Sequence, residues 1–218
     1  MARTILSMGL PARGFFPLLL LLAALSKGQS LGYEKSPNCV SRECPSYDVL
    51  HSQEAFEIRR YKDAVWMATP PINSSSYNEA ANTGFEMLFA YIQGKNHQGT
   101  KIEMTAPVLN DISPSTGPFC NSSFIVYFYM PRKYQKEPPL SDQVHQERWP
   151  QQRYAAIRRF GGFMNDSNIP MEASALKKSL KGTTWESKVA SRGSTYTVSG
   201  YNSPFEYENR INEVMLLF

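Results

Sequence analysis

The stretch FEIRRYKDAVWMAT, residues 56–69, is rich in aromatic and β-branched residues and reads as a strand with room for a bend. A loop of Pro, Asn and Ser follows over residues 70–76. Residues 77–93 then show helical spacing, with Ala81, Phe85, Leu88 and Ile92 on one side and Gly94 as the stop. After a polar loop come two more strands, residues 101–109 (KIEMTAPVL) and 124–130 (FIVYFYM). The same order recurs downstream. Residues 153–160 (RYAAIRRF) form a strand broken by Gly161-Gly162, and 170–180 (PMEASALKKSL) a shorter helix that closes near Gly182. Two strands follow, 194–201 (STYTVSGY) and 210–217 (RINEVMLL). The third element of each half ends alike, MTAPV at 104–108 against YNSPF at 201–205. Proline at the same place in both marks a strand leaving its sheet at matching points.

This repetition predicts one α+β domain of two related halves, the first opening at residue 56 and the second spanning about 151–218. Residues 131–150, with Pro131, Pro138, Pro139 and Pro150 among many charges, read as the linker. Two such strand-helix-strand-strand halves would pair into one curved sheet or flattened barrel with two helices packed outside.

Ahead of the domain lie an N-terminal segment, 31–46, and a leader, 1–30. Arg3 and Arg13 give the leader a positive start, FFPLLLLLAAL at 15–25 is apolar, and Ser26, Gly28 and Ser30 supply small residues. That is the layout of a cleavable signal peptide. The apolar run is about half the roughly 20 residues of a membrane span, which separates it from an uncleaved anchor. The chain is therefore expected in the secretory pathway, in its lumen, a vacuole or the extracellular space. Losing Arg3, Arg13 and Lys27 lowers the formal charge from +4 to about +1, so no nucleic-acid partner is implied. Of three cysteines, two should pair in an oxidising compartment. Cys39–Cys44 would close a small loop and is favoured by proximity, whereas a bond to Cys120 would staple that end onto the domain. Acceptor sequons for N-linked glycans stand at Asn73, Asn121 and Asn165.

No catalytic constellation is visible, and the chain is read as a non-enzyme. His51, His97 and His145 lie far apart with no metal-ligand spacing. Cys120 follows a turn-like Gly117-Pro118-Phe119, and Glu86 and Glu103 are single carboxylates without an evident partner for acid–base work. The first helix stands apart. In GFEMLFAYI, residues 84–92, Phe85, Met87, Leu88, Phe89, Tyr91 and Ile92 reach beyond the single apolar stripe of a surface helix. Either the helix is buried on two sides, or its outer face lines an apolar groove.

Four segments together resemble the SOUL family of haem-binding proteins: EIRRY at 57–61, YIQG at 91–94 running through to KIEMTAPV at 101–108, GPF at 117–119, and GYNSPF…NEV at 200–214. The leader and the Cys39–Cys44 neighbourhood resemble secreted branches of that family. The resemblance runs over residues 47–218 and implies a distorted antiparallel β-barrel of two pseudo-symmetric halves, about 47–130 and 151–218, with two helices packed outside, and reversible binding of haem or free porphyrin in a groove between the first helix and the loop before the last strand. Carried across, that groove would hold Asn82, Phe85 and Phe89 from the helix and Phe205 from the loop. Some members place basic residues on this helix and loop to meet the propionates, where this chain has Asn82, Ala90 and Glu206. Certain animal members have a histidine in the EIRRY strand, proposed as an iron ligand, where this chain has Arg60; no metal ligand is assigned. A segment tied to cell death in some animal relatives matches residues 175–189, read here as the second helix and its exit. Two other functions fit the same fold: an interaction module that has lost its ligand, and an enzyme acting on a tetrapyrrole or small apolar substrate.

Overall fold

The computed structural model describes Met1 and residues 35–115, 121–150, 152–190 and 193–218. The leader expected over 1–30 and the turn at 117–120, with Cys120, lie outside the described residues. A four-residue helix, α1 (Asn38–Ser41), is followed by strands β1 (Tyr47–Gln53), β2 (Phe56–Tyr61), β3 (Ala64–Ala68) and β4 (Ile72–Ser74), then helix α2 (Tyr77–Ile92). The chain continues through β5 (Val108–Ser113), β6 (Ser122–Tyr129), β7 (His145–Trp149) and β8 (Arg153–Phe160). It ends with α3 (Asn168–Leu180), α4 (Glu186–Ala190), β9 (Tyr196–Gly200) and β10 (Asn212–Leu217). No helix among the described residues is long and apolar enough to cross a membrane.

All strand pairs are antiparallel, in the order β1-β2-β8-β10-β9-β5-β6-β3-β7, with β4 pairing onto β6. The two halves meet twice, β2 on β8 and β5 on β9, so the second half's strands are inserted between those of the first. The sheet is curled, and the expected α+β distorted barrel is what the chain forms. The strand expected over 56–69 is two strands, because Lys62 and Asp63 turn the chain from β2 into β3.

Two expectations need correction. Residues 101–107 are not strand: the Thr105 hydroxyl donates to the Tyr129 carbonyl at 2.6 Å, and the Ala106 amide reaches the Glu43 carbonyl at 3.0 Å. Those bonds draw the backbone off the sheet, and β5 begins only after Pro107, which has no N–H to give a ladder. Residues 131–150 are not merely a linker. They hold a 3₁₀ turn at Arg132–Tyr134 and the edge strand β7, which pairs with β3 from Ala64↔Trp149 to Ala68↔His145. Its sequence, HQERW, is polar because an edge strand shows most of its surface to water. Strands β1 and β4 were also invisible to periodicity.

Side-chain alternation divides the strands between two faces. On the outer face, α2 packs Leu88, Tyr91 and Ile92 against Val65, Met67, Val126 and Phe128, while α3 packs Ile169, Ala173, Leu176 and Leu180 against Ile58, Ala156 and Val214. The inner face is filled by Trp66, Trp149, Tyr61, Tyr127, Tyr129, Leu109 and Ile157. Ser76 caps α2, its hydroxyl accepting from the Glu79 amide at 3.4 Å, and Gly94 ends it at φ 102°, a backbone that favours glycine. Within α2, Gly84 is required by contact: a Cβ there would lie 2.3 Å from Cγ2 of Val126.

Gly84→Ala should therefore destabilise the fold by about 1–3 kcal/mol through overpacking, although alanine is the better helix former by roughly 1 kcal/mol. Urea unfolding of the two proteins checks this. An alanine variant as stable as the parent would mean that α2 can lift off β6.

Candidate functional site

Helix α2 is not buried on two sides. Leu88, Tyr91 and Ile92 are buried and Phe85 and Met87 half-buried, but Phe89 is 43% exposed. Phe85 and Phe89 lie one turn apart and stack, ring centroids 5.6 Å apart and planes 13° from parallel. Phe85 in turn packs edge-on against Phe128 at 5.3 Å. A core residue thus fixes the inner ring, and the inner ring steadies the outer one. Asn82 is exposed one turn before Phe85.

Phe205 comes from the long loop between β9 and β10 and is 81% exposed. Sheet register relates this loop to α2: Val108 pairs with Phe128 on one side and with Gly200 on the other. The loop therefore leaves the sheet two strands from Phe128, about 10 Å at ordinary strand spacing. No ring contact joins Phe205 to Phe85 or Phe89 among the described residues; the register sets them on elements two strands apart.

The position where relatives were expected to carry a basic residue has a different task here. The Glu206 carboxylate accepts from Nδ2 of Asn202 at 2.7 Å, from the Ser203 amide at 3.3 Å and from Nδ2 of Asn38 at 3.3 Å. These bonds, the one from Asn202 foremost, hold its carboxyl below the ordinary range. Arg210 donates to the carbonyls of Ser203 and Glu206 at 2.7 and 2.6 Å and lies 4.2 Å over the Phe163 ring. Both charges build the loop that presents Phe205.

The most unusual chemistry lies on the inner face and was not legible in the sequence. The Arg59 guanidinium, wholly buried, donates to both oxygens of Glu213 at 3.0 and 2.9 Å and to Glu57 at 2.5 Å. Tyr201 Oη donates to Glu213 at 2.9 Å, Arg159 donates to it at 3.1 Å, and the Tyr47 ring covers the guanidinium at 4.2 Å. Burial pushes the Glu57 carboxyl up; for Glu213 burial acts the same way but is outweighed by Arg59 and Arg159, which hold it below its ordinary value. Ile58 and Val214 face the helices, so their neighbours in sequence, Glu57, Arg59 and Glu213, face away from the Phe85–Phe89 pair. Arg60, by contrast, meets Asp48 at the surface at 2.8 Å.

The remaining sites fall as follows. Cys39 and Cys44 form a disulfide. Asn73 and Asn121 are exposed and Asn165 is half-buried. His51, His97 and His145 are all exposed, and no group of three metal-ligating side chains occurs among the described residues.

Residues 42–217 match the family model described as SOUL heme-binding protein. The chain belongs to the SOUL family. Among SOUL relatives, human heme-binding protein 2 is 36% identical over 170 residues, covering 75% of this chain and 78% of that protein. The mouse protein of the same name is 33% identical over 194 residues, covering 86% and 91%. Pig heme-binding protein 1 is 27% identical over 172 residues, covering 78% and 85%. The solved C-terminal domain of EcmrR aligns with a TM-score of 0.50 at 7% identity, over 79% of this SOUL chain and 98% of that domain, a likeness of fold alone.

The inner ion cluster makes a pH prediction. Because the folded Glu213 carboxyl is held below its ordinary value, the stability it contributes is present above about pH 4.3 and is lost as pH falls through its folded value. Glu57, raised by burial, acts in the opposite sense. Glu213→Gln should lower stability at pH 7 by about 3–5 kcal/mol, since Arg59 loses its main partner. It should also flatten the acid limb of a stability–pH curve from urea melts. An acid limb as steep as the parent's would assign the acid loss to other carboxylates.

Proposed function

We propose that this protein binds haem or a free porphyrin reversibly, in the secretory lumen or outside the cell, and carries or buffers the ring without transforming it. The observation that carries the reading is the stacked Phe85–Phe89 pair, open on α2 beside the loop that presents Phe205. A flat apolar ring laid on such a pair gains about 2.5 kcal/mol per ~100 Å² of apolar surface removed from water, before association costs are met. Membership of the SOUL family and the names of its heme-binding relatives support the same ligand class.

The residues fit a ring held by its face. Helix α2 contains no histidine, and the three histidines of the chain are exposed elsewhere, so no axial ligand is assigned. When bound, haem would supply redox-active iron; the protein's own contribution is the aromatic platform and the loop that borders it. Glu57 and Glu213, the carboxylates most displaced from water, lie on the other side of the sheet, which favours carrying over chemistry.

The secretory setting rests on the leader-like residues 1–30, the Cys39–Cys44 disulfide and the acceptor sequons at Asn73, Asn121 and Asn165. Disulfides of this kind persist where the surroundings are oxidising.

Titration of the secreted protein with haem and with protoporphyrin, followed in the Soret band, tests the reading. Both should bind saturably and with similar affinity, because the ring and not the iron makes the contact. Phe89→Ala should weaken both about ten-fold, roughly 1.4 kcal/mol, while the thermal midpoint stays nearly unchanged because the side chain is half in water. Binding of haem alone would point to an axial ligand. Equal loss of folding and binding would assign Phe89 to the core, and no saturable binding of either ring would sink the proposal.

A further inference from the structure

Away from the Phe85–Phe89 face, the start of α2 and the side of α3 border a cleft of about 510 Å³ over the outer face of the sheet. The register builds its floor. Tyr196 on β9 pairs with Ile112 on β5, and Ile112 pairs with Phe124 on β6, so the three side chains stand in one row across neighbouring strands. At ordinary strand spacing the row is about 10 Å wide. Helix α3 supplies one wall with Ile169 and Ala173, and Tyr77 stands on the other side, its ring 6.4 Å from that of Phe124. Small-molecule sites are clefts of this kind, about 300–1,000 Å³ with mostly apolar walls and a few placed polar groups.

Two polar groups stand in this setting without partners. Tyr196 is only 8% exposed, yet its hydroxyl makes no hydrogen bond among the described residues, although a buried phenol ordinarily finds one. Burial pushes this hydroxyl up, so it stays protonated and able to donate. Lys177, two turns along α3 from Ile169, lines the same cleft, is exposed, and enters no ion pair among the described residues. The carboxylate that lines the cleft, Asp166, is already engaged. It accepts from the Tyr77 amide at 2.5 Å and from the Ser76 hydroxyl at 3.1 Å. Asp166 also precedes α3, whereas Lys177 lies roughly 14 Å along the helix axis from Asn168. A free cation and a free hydroxyl donor suit an anion, and the row of Phe124, Ile112 and Tyr196 suits an apolar body.

We propose that this cleft is a second ligand site, distinct from the Phe85–Phe89 platform, for a small amphipathic carboxylate whose apolar body lies on the Phe124–Ile112–Tyr196 row and whose head group meets Lys177 and accepts from the Tyr196 hydroxyl. The site does not depend on the haem reading, since it shares no residue with the platform.

Decanoate is the probe, titrated calorimetrically into the full secreted chain, with decanol and decylamine as its neutral and cationic counterparts. Decanoate should bind saturably at a single site per chain, about ten-fold or more tighter than either counterpart, as expected for a charged group that is hydrogen-bonded. Lys177→Gln should weaken decanoate about ten-fold and Tyr196→Phe about five-fold. Lys178→Gln, which removes the neighbouring exposed cation outside the cleft, should leave binding unchanged. Because Lys177 is exposed, its variant reads binding even where Tyr196→Phe disturbs the core. Saturating decanoate should leave the haem titration as it was. Tighter binding of decylamine would give the cleft to a cation at Asp166 and overturn the proposal. It would equally be overturned by competition between decanoate and haem, by equal weakening from Lys177→Gln and Lys178→Gln, or by no saturable binding of decanoate.

Discussion

The buried pairing of Arg59 with Glu213 is the constraint around which the barrel is arranged. Glu57 and Arg59 come from the first half, and Arg159, Tyr201 and Glu213 from the second, so the cluster ties the repeats together through the interior. Such a pair adds little net stability, because desolvating the charges offsets their attraction. Its effect is on which arrangement is allowed. A one-residue slip of β2 would put Arg59 among the apolar side chains beneath α3 and Ile58 among the charges, an outcome far costlier than the pair's own worth.

That interior is closed by aromatic packing. Trp66 and Trp149 sit 4.9 Å apart, Tyr61 packs edge-on against Trp149 and Tyr129 against Trp66, so the inner face is filled like that of other small barrels. On the outer face α2 carries aromatic surface that its contact with β6 does not cover, Phe85 half-buried and Phe89 exposed.

The two ends of α2 differ in what surrounds them. At its start, Ser76 and Tyr77 are held by Asp166 from the second half, and β4 and β6 bring hydroxyl-rich segments alongside. Further along, Phe85 and Phe89 stack in the open above Phe128. One amphipathic helix with an aromatic excess thus separates a polar corner from an apolar platform.

The sequence by itself determined the two long helices, most of the strands, and the breadth of apolar surface on residues 84–92, because these depend on local periodicity and on where Gly and Pro interrupt it. The Cys39–Cys44 bond was within reach of proximity alone. Strand β7 was missed because HQERW has the composition of a loop and is a strand only by pairing with β3. Residues 101–107 were read as strand because KIEMTAPV alternates well, yet Thr105 and Ala106 bond to Tyr129 and Glu43, partners no local pattern announces. The same limit hid the ion cluster: in EIRRY, Arg59 and Arg60 look equivalent, and only the sheet's two faces send one to Glu213 in the interior and the other to Asp48 at the surface. Tertiary structure alone decided which charges meet and that Glu206 and Asn38 join the loop before β10 to the N-terminal segment, since each depends on contacts between residues far apart in the chain.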